Sequence, residues 1–211
     1  MTSLRRLRAA ALAVPLLLIA TACAQPTPGS GDDAGGGTGA GSLAADALVL
    51  RVVHVGGFVS AEMLASRLPL VSVYGDGRVV TEGPITLQYP GPALPNLQLQ
   101  RISTADVEGL VERAVAAGVG AAPAGGYGRP PIADAPDTRF TVLTDDGPKV
   151  SEVYALAEAR DGGSGLTAEQ VSARKRLSGL LASLTDLPGT LGRDAVTAAG
   201  PYRATEVVAL A

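Results

Sequence analysis

The sequence predicts an α+β domain in which a mainly antiparallel sheet carries two amphipathic helices on one face. Short β-branched segments occur in pairs around Gly/Asp connections, and such connections favour β-hairpins. Two longer segments have apolar residues at helical spacing behind a capping sequence. Strands joined by tight turns, with two helices inserted between them, are typical of a sheet that is covered by helices on one side.

The strands follow from β-branched content, alternation and flanking turn residues. Gly75-Asp76-Gly77 and Asp145-Asp146-Gly147 are the turns of two predicted hairpins. The predicted strands are residues 48–55, 70–74, 78–81, 85–89, 97–102, 138–144, 148–156 and 202–210.

Two helices are predicted from capping sequences and apolar stripes. Ser103 and Asp106 resemble a capping box, and the helix behind them should end at Gly118. Thr167 and Gln170 form a second capping box, and that helix should end before Pro188. The residues expected on the buried stripes are Val107, Leu110, Val111, Ala114 and Val115 in the first helix, and Val171, Leu177, Leu180, Leu181 and Leu184 in the second.

Other polar segments suggest surface structure. Residues 58–67 fit a helical turn capped by Ser60, or a loop. Arg174, Lys175 and Arg176 are expected on the solvent-exposed arc of the second helix, because Lys and Arg are good helix formers. Residues 118–137 are rich in Gly and Pro and should form a long loop, either a binding surface or a variable excursion without a function.

The first 22 residues have the organisation of an export signal. Arg5, Arg6 and Arg8 precede an apolar stretch that is shorter than the roughly twenty residues of a membrane-spanning helix. Ala22 stands directly before Cys23, the only cysteine of the chain. An ordinary secretory signal cut after Ala22, or an uncleaved anchor, is the alternative interpretation.

Residues 16–23 (LLLIATAC) resemble the lipobox of bacterial lipoproteins of the actinobacterial type. By this resemblance the chain is cleaved between Ala22 and Cys23, and Cys23 carries diacylglycerol and an amide-linked acyl chain such as palmitate. The resemblance implies a lipid-anchored protein on the extracytoplasmic face of the cell membrane. Residues 23–42, which contain no aliphatic side chain larger than alanine, should form a disordered tether, and residues 43–211 a single domain.

Composition limits the classes of function. Removal of the three signal arginines leaves 14 basic against 20 acidic side chains, a net charge of −6, which disfavours nucleic acid as a partner. A single cysteine leaves the domain without a disulfide, and a single histidine does not suffice for a zinc site. His54, within the first strand, is expected to be structural. We therefore expect no catalytic residue, metal or cofactor.

Residues 71–80 (VSVYGDGRVV), the helix behind Ser103 and the Asp134-Ala135-Pro136-Asp137-Thr138 segment resemble a family of uncharacterised bacterial lipoprotein domains. Members share a Y-G-D-G hairpin, a helix opening with Ser or Thr, a D-x-P-x-T segment and a further hairpin. The similarity covers roughly residues 48–184. Many relatives have a cysteine pair before the hairpin, which residues 52–60 lack, so no redox or metal role carries over.

The expected function is that of a lipid-anchored, non-catalytic envelope protein that presents loops to a protein or small-molecule partner. Two alternatives belong to other classes. A carboxylate-dependent hydrolase would use Asp134 or Asp137 beside the long loop, with its carboxylates converging in a deep cleft. A carrier of apolar ligands would need an enclosed cavity between the sheet and the helices.

Overall fold

Seven strands form one antiparallel sheet in the computed structural model, which describes residues 44–159 and 164–205. The strands lie in the order β6-β5-β1-β2-β3-β4-β7, so β1 is flanked by partners on both sides. Their bounds are β1 Leu48–Val55, β2 Val71–Tyr74, β3 Arg78–Glu82, β4 Leu97–Arg101, β5 Asp137–Thr144, β6 Gly147–Tyr154 and β7 Gly200–Pro201.

Both predicted hairpins are confirmed. Val73 pairs with Val79 across the first turn, and Thr144 pairs with Gly147 across the second. Gly77 has a φ of 82°, a left-handed conformation that glycine adopts without steric cost. The alternation of residues in these strands places one side of each hairpin in the core.

Capping side chains define where the two long helices begin. In α2 (Thr104–Ala117), Ser103 and Asp106 form a complete capping box, and Gly118 ends the helix in a left-handed conformation. In α3 (Ala168–Thr185), Thr167 and Gln170 form the same arrangement. The shorter helices are α1 (Ala61–Ser66), which is capped by Ser60, α4 (Leu187–Leu191) and a 3₁₀ turn at Arg193–Ala195.

The hydrophobic core lies between the sheet and the two long helices, so the predicted α+β architecture is confirmed. Helix α2 contacts β1, β5 and α3. Phe140 from β5, Leu110 from α2 and Leu177 from α3 are among the largest fully buried side chains. Of the residues predicted on the apolar stripes, Val111, Val171 and Leu181 are half-buried and Val115 is exposed; the others are buried.

The strand predicted at residues 85–89 is wrong. Residues 83–96 form an irregular connection between β3 and β4, which pair directly with each other from Arg78↔Arg101 to Glu82↔Leu97. No sheet edge is therefore left beside the segment, and prolines at positions 84 and 90 bound it. Proline cannot donate a backbone hydrogen bond to a neighbouring strand. The β-propensity of residues 85–89 therefore did not suffice to make them a strand.

The closing strand predicted at residues 202–210 is also wrong over its described part. The strand that pairs with β4 is β7, which begins at Gly200, two residues before the predicted start at 202. Tyr202, directly after β7, donates one further backbone hydrogen bond to the Leu97 carbonyl. Residues 206–211 lie outside the described residues.

The predicted exposure of Arg174 is wrong, whereas Lys175 and Arg176 are exposed as predicted. Only 3% of Arg174 is accessible to solvent. The helix turns this side chain toward the sheet, where its guanidinium donates hydrogen bonds to backbone carbonyls. These acceptors come from segments distant in sequence, so helix propensity alone could not indicate them.

Gly77 provides a test of the first hairpin. A Cβ at this position would overlap the carbonyl oxygen of Ile102, in addition to the cost of a left-handed backbone. We expect Gly77→Ala to lower the free energy of unfolding by roughly 2–5 kcal/mol, measured by urea denaturation.

Gly147→Ala is the matched control, because Gly147 has a φ of 103° and no neighbouring atom lies within 4 Å of where its Cβ would stand. It should show only the backbone cost, about 1–2 kcal/mol. Equal losses in the two variants would contradict the close approach of Gly77 to Ile102.

Candidate functional site

The strand directions bring several connections to one end of the sheet, which we call the loop end. Strands β1, β3 and β6 finish there, and β2, β4 and β5 begin there, as the pairs Val55↔Asp137 and Glu82↔Leu97 show. The described chain begins at the opposite end, where Gly75 and Asp76 donate backbone hydrogen bonds to the carbonyls of Ala47 and Ala45. The loop end is therefore separated from that point by the length of β1.

Exposed apolar side chains concentrate at the loop end. Phe58 is 85% exposed, Leu87 is fully exposed and Tyr89 is 96% exposed. Helix α1 contains no buried residue. We call residues 58–64 and 85–94 the apolar loops; their large exposed side chains are Phe58, Met63, Leu64, Ile85, Leu87, Tyr89 and Leu94. Concentrated exposed apolar surface is typical of interaction sites.

Polar contacts hold the bases of the apolar loops. Asn96 accepts a backbone hydrogen bond from Gly83 at 2.7 Å and donates its side-chain amide to the Pro84 carbonyl at 2.8 Å. In the other loop, Arg67 donates to the Gly56 carbonyl at 2.9 Å, and Phe58 donates its N–H to the Asp134 carbonyl. The apolar side chains project beyond these fixed points. Sequence reasoning missed this surface because it assigned residues 85–89 to a strand.

The long loop, by contrast, is packed against the domain. Tyr127 is buried, and its hydroxyl lies 2.8 Å from Ser151 Oγ and donates to the Gly118 carbonyl at 3.2 Å. Arg129 lies 3.8 Å above the ring of Tyr154. In the loop that the sequence indicated as a binding surface, the side chains of Tyr127 and Arg129 therefore make contacts within the domain.

Arg174 joins this loop to the segment after β6. Its Nη2 donates to the carbonyls of Tyr154 at 2.9 Å and Ala155 at 2.8 Å, and its Nη1 donates to the Tyr127 carbonyl at 3.5 Å. Within the described residues its Nε has no hydrogen-bond partner. Burial lowers the pKa of Arg174, and the negative charge of Glu158 acts in the opposite direction. A buried charge thus holds two irregular segments against α3.

The two aspartates of the hydrolase hypothesis lie beside the β1–α1 connection. Asp134 is exposed, with a φ of 61°, and Asp137 is half-buried at the first position of β5. The aspartates of the hairpin turns, Asp76, Asp145 and Asp146, lie at the opposite end of the sheet. In the part of the chain that the structure describes, no group of three His, Cys, Asp or Glu side chains could hold a metal ion.

His54 is half-buried near the end of β1, with Nδ1 3.4 Å from the Thr138 hydroxyl. Burial lowers its pKa, and the positive charge of Arg67 lowers it further. The carboxylates of Glu158 and Glu82 oppose this shift. The neutral imidazole is therefore favoured by the folded state.

Two clefts open to solvent near the loop end. The arginine cleft, on the face of the sheet opposite α2 and α3, has a volume of about 370 Å³ and is lined by Arg51, Val53, Val55, Leu64, Arg67 and Arg139, among others. The leucine cleft, of about 570 Å³, lies beside α3 and is lined by residues that include Leu70, Glu82, Leu156, Ser178, Leu181 and Thr185. Both are open and partly polar, unlike the enclosed cavity that the carrier hypothesis needs.

The predicted lipid-attachment and cleavage residues, Cys23 and Ala22, lie outside the described residues, as does the predicted tether. Over 44–159 and 164–205, none of the helices combines the length and the hydropathy that crossing a bilayer requires. Comparison with protein-family models, curated proteins and solved structures gives no match for this chain.

Arg174 and Arg176 allow a matched test of the buried charge. Arg174→Ala removes the donor of three backbone carbonyls, so the free energy of unfolding should fall by roughly 2–4 kcal/mol. Arg176 is exposed, and within the described residues its side chain donates one hydrogen bond, to the Ser172 hydroxyl on the same helix, so Arg176→Ala should change stability by no more than about 0.5 kcal/mol. Similar urea-denaturation midpoints for the two variants would contradict the anchoring role.

The single histidine gives a pH-dependent stability. Because the pKa of folded His54 lies below its ordinary value of 6.5, the unfolded chain takes up the proton at the higher pH. The contribution of His54 to the free energy of unfolding is therefore fully present well above pH 6.5. It is lost as the pH falls from about 6.5 toward the lower pKa of the folded state.

Urea denaturation of the wild type and of His54→Gln between pH 7.5 and pH 5 isolates the effect, since carboxylates titrate alike in both proteins. The wild type should lose more stability with acidification than the variant. Parallel pH profiles would show that His54 is not desolvated.

Proposed function

We propose that this protein is a cell-envelope lipoprotein, held on the extracytoplasmic face of the cell membrane by a lipid on Cys23. Its folded part is a non-catalytic binding domain whose apolar loops contact a protein partner. The anchor rests on sequence: a basic segment, a short apolar stretch and a unique cysteine directly after Ala22.

The exposure of the apolar loops is the observation that carries the binding proposal. Phe58, Leu87 and Tyr89 leave large apolar surfaces in water, which is unfavourable unless a partner covers them. Aromatic and leucine side chains supply contact area rather than proton transfer, so a binding role suits them better than catalysis. The bases of both loops are fixed by hydrogen bonds, which limits the entropy lost when a partner binds.

The position of these loops suits a tethered domain. The described chain begins beside the Tyr74–Arg78 turn, and the apolar loops lie at the other end of β1. The eight residues of β1 span roughly 26 Å at about 3.3 Å per residue. A domain tethered at the first end would present the apolar loops away from its point of attachment.

Replacement of Cys23 tests the anchor. Cys23→Ala should abolish incorporation of radiolabelled palmitate and release the protein from the membrane fraction, because alanine has no thiol for the thioether. Mass spectrometry of the wild type should find an acylated N-terminal cysteine. A free thiol at Cys23, or unchanged membrane fractionation of the variant, would contradict the proposal.

Site-specific photo-crosslinking in the native envelope tests the binding surface. A photoreactive residue at position 87 should give a discrete adduct, whereas one at exposed Arg113 on α2 should not. The double substitution Phe58→Ser and Tyr89→Ser should abolish the adduct from position 87 while changing stability by no more than about 0.5 kcal/mol, because both side chains are exposed.

The same adducts from positions 87 and 113 would indicate non-specific contact. An adduct that survives the double substitution would also count against the apolar loops as the binding surface. Either result leaves the Cys23 anchor standing, because that anchor is tested separately.

A further inference from the structure

The arginine cleft is a second surface feature beside the apolar loops, and its walls come from three elements. Arg51 belongs to β1, Arg139 to β5, and Arg67 follows α1. Arg51 pairs in register with Thr141, and Val53 pairs with Arg139, so these four side chains share the face of the sheet opposite the core. The sheet therefore brings cations that are distant in sequence to one place.

The three guanidiniums differ in how they are satisfied. Arg139 Nε lies 2.6 Å from Glu152 Oε1, and Arg67 donates to the Gly56 carbonyl at 2.9 Å. The Arg51 side chain has neither an ion pair nor a hydrogen bond within the described residues; its Nε is buried without a partner, whereas its two Nη atoms are not among the buried unpartnered atoms. A guanidinium without an acceptor is unfavourable, so the Nη groups of Arg51 are the donors that a ligand in the cleft would satisfy.

The cleft is positively charged in a protein whose formal net charge is −3. Its described lining residues include three guanidiniums and no carboxylate. The carboxylates beside it are Glu152, paired with Arg139, and Asp137, whose Oδ2 lies 3.9 Å from where a Cβ on Gly56 would stand. A ligand with a negative charge suits this lining.

Apolar and polar residues complete the walls, and the size suits a small molecule. Val53, Val55 and Leu64 line the cleft beside the guanidiniums, together with Gly56, His54 and Thr141. Its volume of about 370 Å³ falls in the range of small-ligand sites, roughly 300–1,000 Å³. A ligand with a hydrocarbon body and one anionic end would contact both kinds of wall.

We propose that the arginine cleft binds a small organic carboxylate with an apolar body. The planar guanidinium of Arg51 matches a carboxylate through two parallel N–H···O bonds, and Thr141 adds a hydroxyl beside it. Val55 and Leu64 contact the hydrocarbon. Binding at this site requires neither a partner on the apolar loops nor the lipid anchor.

Hexanoate is the probe, and hexanamide and hexyl phosphate are its matched comparisons. The Nε–H cross-peak of Arg51 in ¹H–¹⁵N spectra of the purified full-length protein should move saturably with hexanoate. Hexanamide has the same shape without the charge and should bind at least about tenfold more weakly, because hydrogen bonds to charged groups are the stronger ones.

Three variants and one control variant separate the effect of charge from that of geometry. Arg51→Gln should weaken hexanoate binding at least about tenfold, and Arg51→Lys should restore only part of the loss, because lysine keeps the charge without the planar fork. Asp137→Asn removes a negative charge from the rim and should tighten binding. Arg113→Gln on α2 should leave the affinity unchanged.

Equal binding of hexanoate and hexanamide would overturn the proposal, as would tighter binding of hexyl phosphate than of hexanoate. Unchanged affinity in Arg51→Gln would also overturn it. If that variant fails to fold, Asp137→Asn decides: tighter binding supports the cleft, and equal or weaker binding refutes it.

Discussion

Alternation along β1 is the constraint on which both faces of this domain depend. Leu50 and Val52 point into the core, where they meet β5 residues such as Phe140 and Val142, while Arg51 and Val53 point the other way. The register of a strand cannot shift by one residue without exchanging these two sets. Burial of the first set therefore determines that Arg51 faces the cleft, beside Thr141.

Of the described helices, the two long ones cover the core face, and this asymmetry leaves the opposite face and the loop end to α1 and the connections. Helices α2 and α3 contact each other, and α2 also contacts β1 and β5. The long loop and the segment after β6 are drawn inward by Arg174 and Tyr127. The connection between β3 and β4 has no comparable buried side chain in residues 83–96, and its apolar residues stay in water.

The parts of the fold predicted correctly are those determined by short-range chemistry. Glycine and aspartate turns specify the hairpins, and the side chains of Ser103 and Thr167 specify where helices begin. These signals need only three or four neighbouring residues. The fold class follows from them, because hairpins and amphipathic helices must bury their apolar faces together.

Two of the errors involve partners that are distant in sequence. Residues 85–89 have strand composition, but β3 and β4 already pair with each other. Arg174 lies on the helix where an exposed residue was expected, yet its acceptors are 19 to 47 positions away. The arginine cleft has the same origin, since Arg51 and Arg139 meet only through the β1–β5 register. The periodicity of apolar residues within one helix or strand contains no information on contacts between residues that are distant in sequence.

Helix α1 connects the two surface features of the loop end. Met63 and Leu64 both belong to the exposed apolar loops, and Leu64 also lines the arginine cleft. Six residues are too few for a helix to be stable by itself, and α1 buries none of its side chains. Its position therefore rests on the Ser60 cap and on the hydrogen bond from Arg67 to Gly56. The same arginine that charges the cleft thus positions the neighbouring apolar surface, so the two features are physically linked through Arg67.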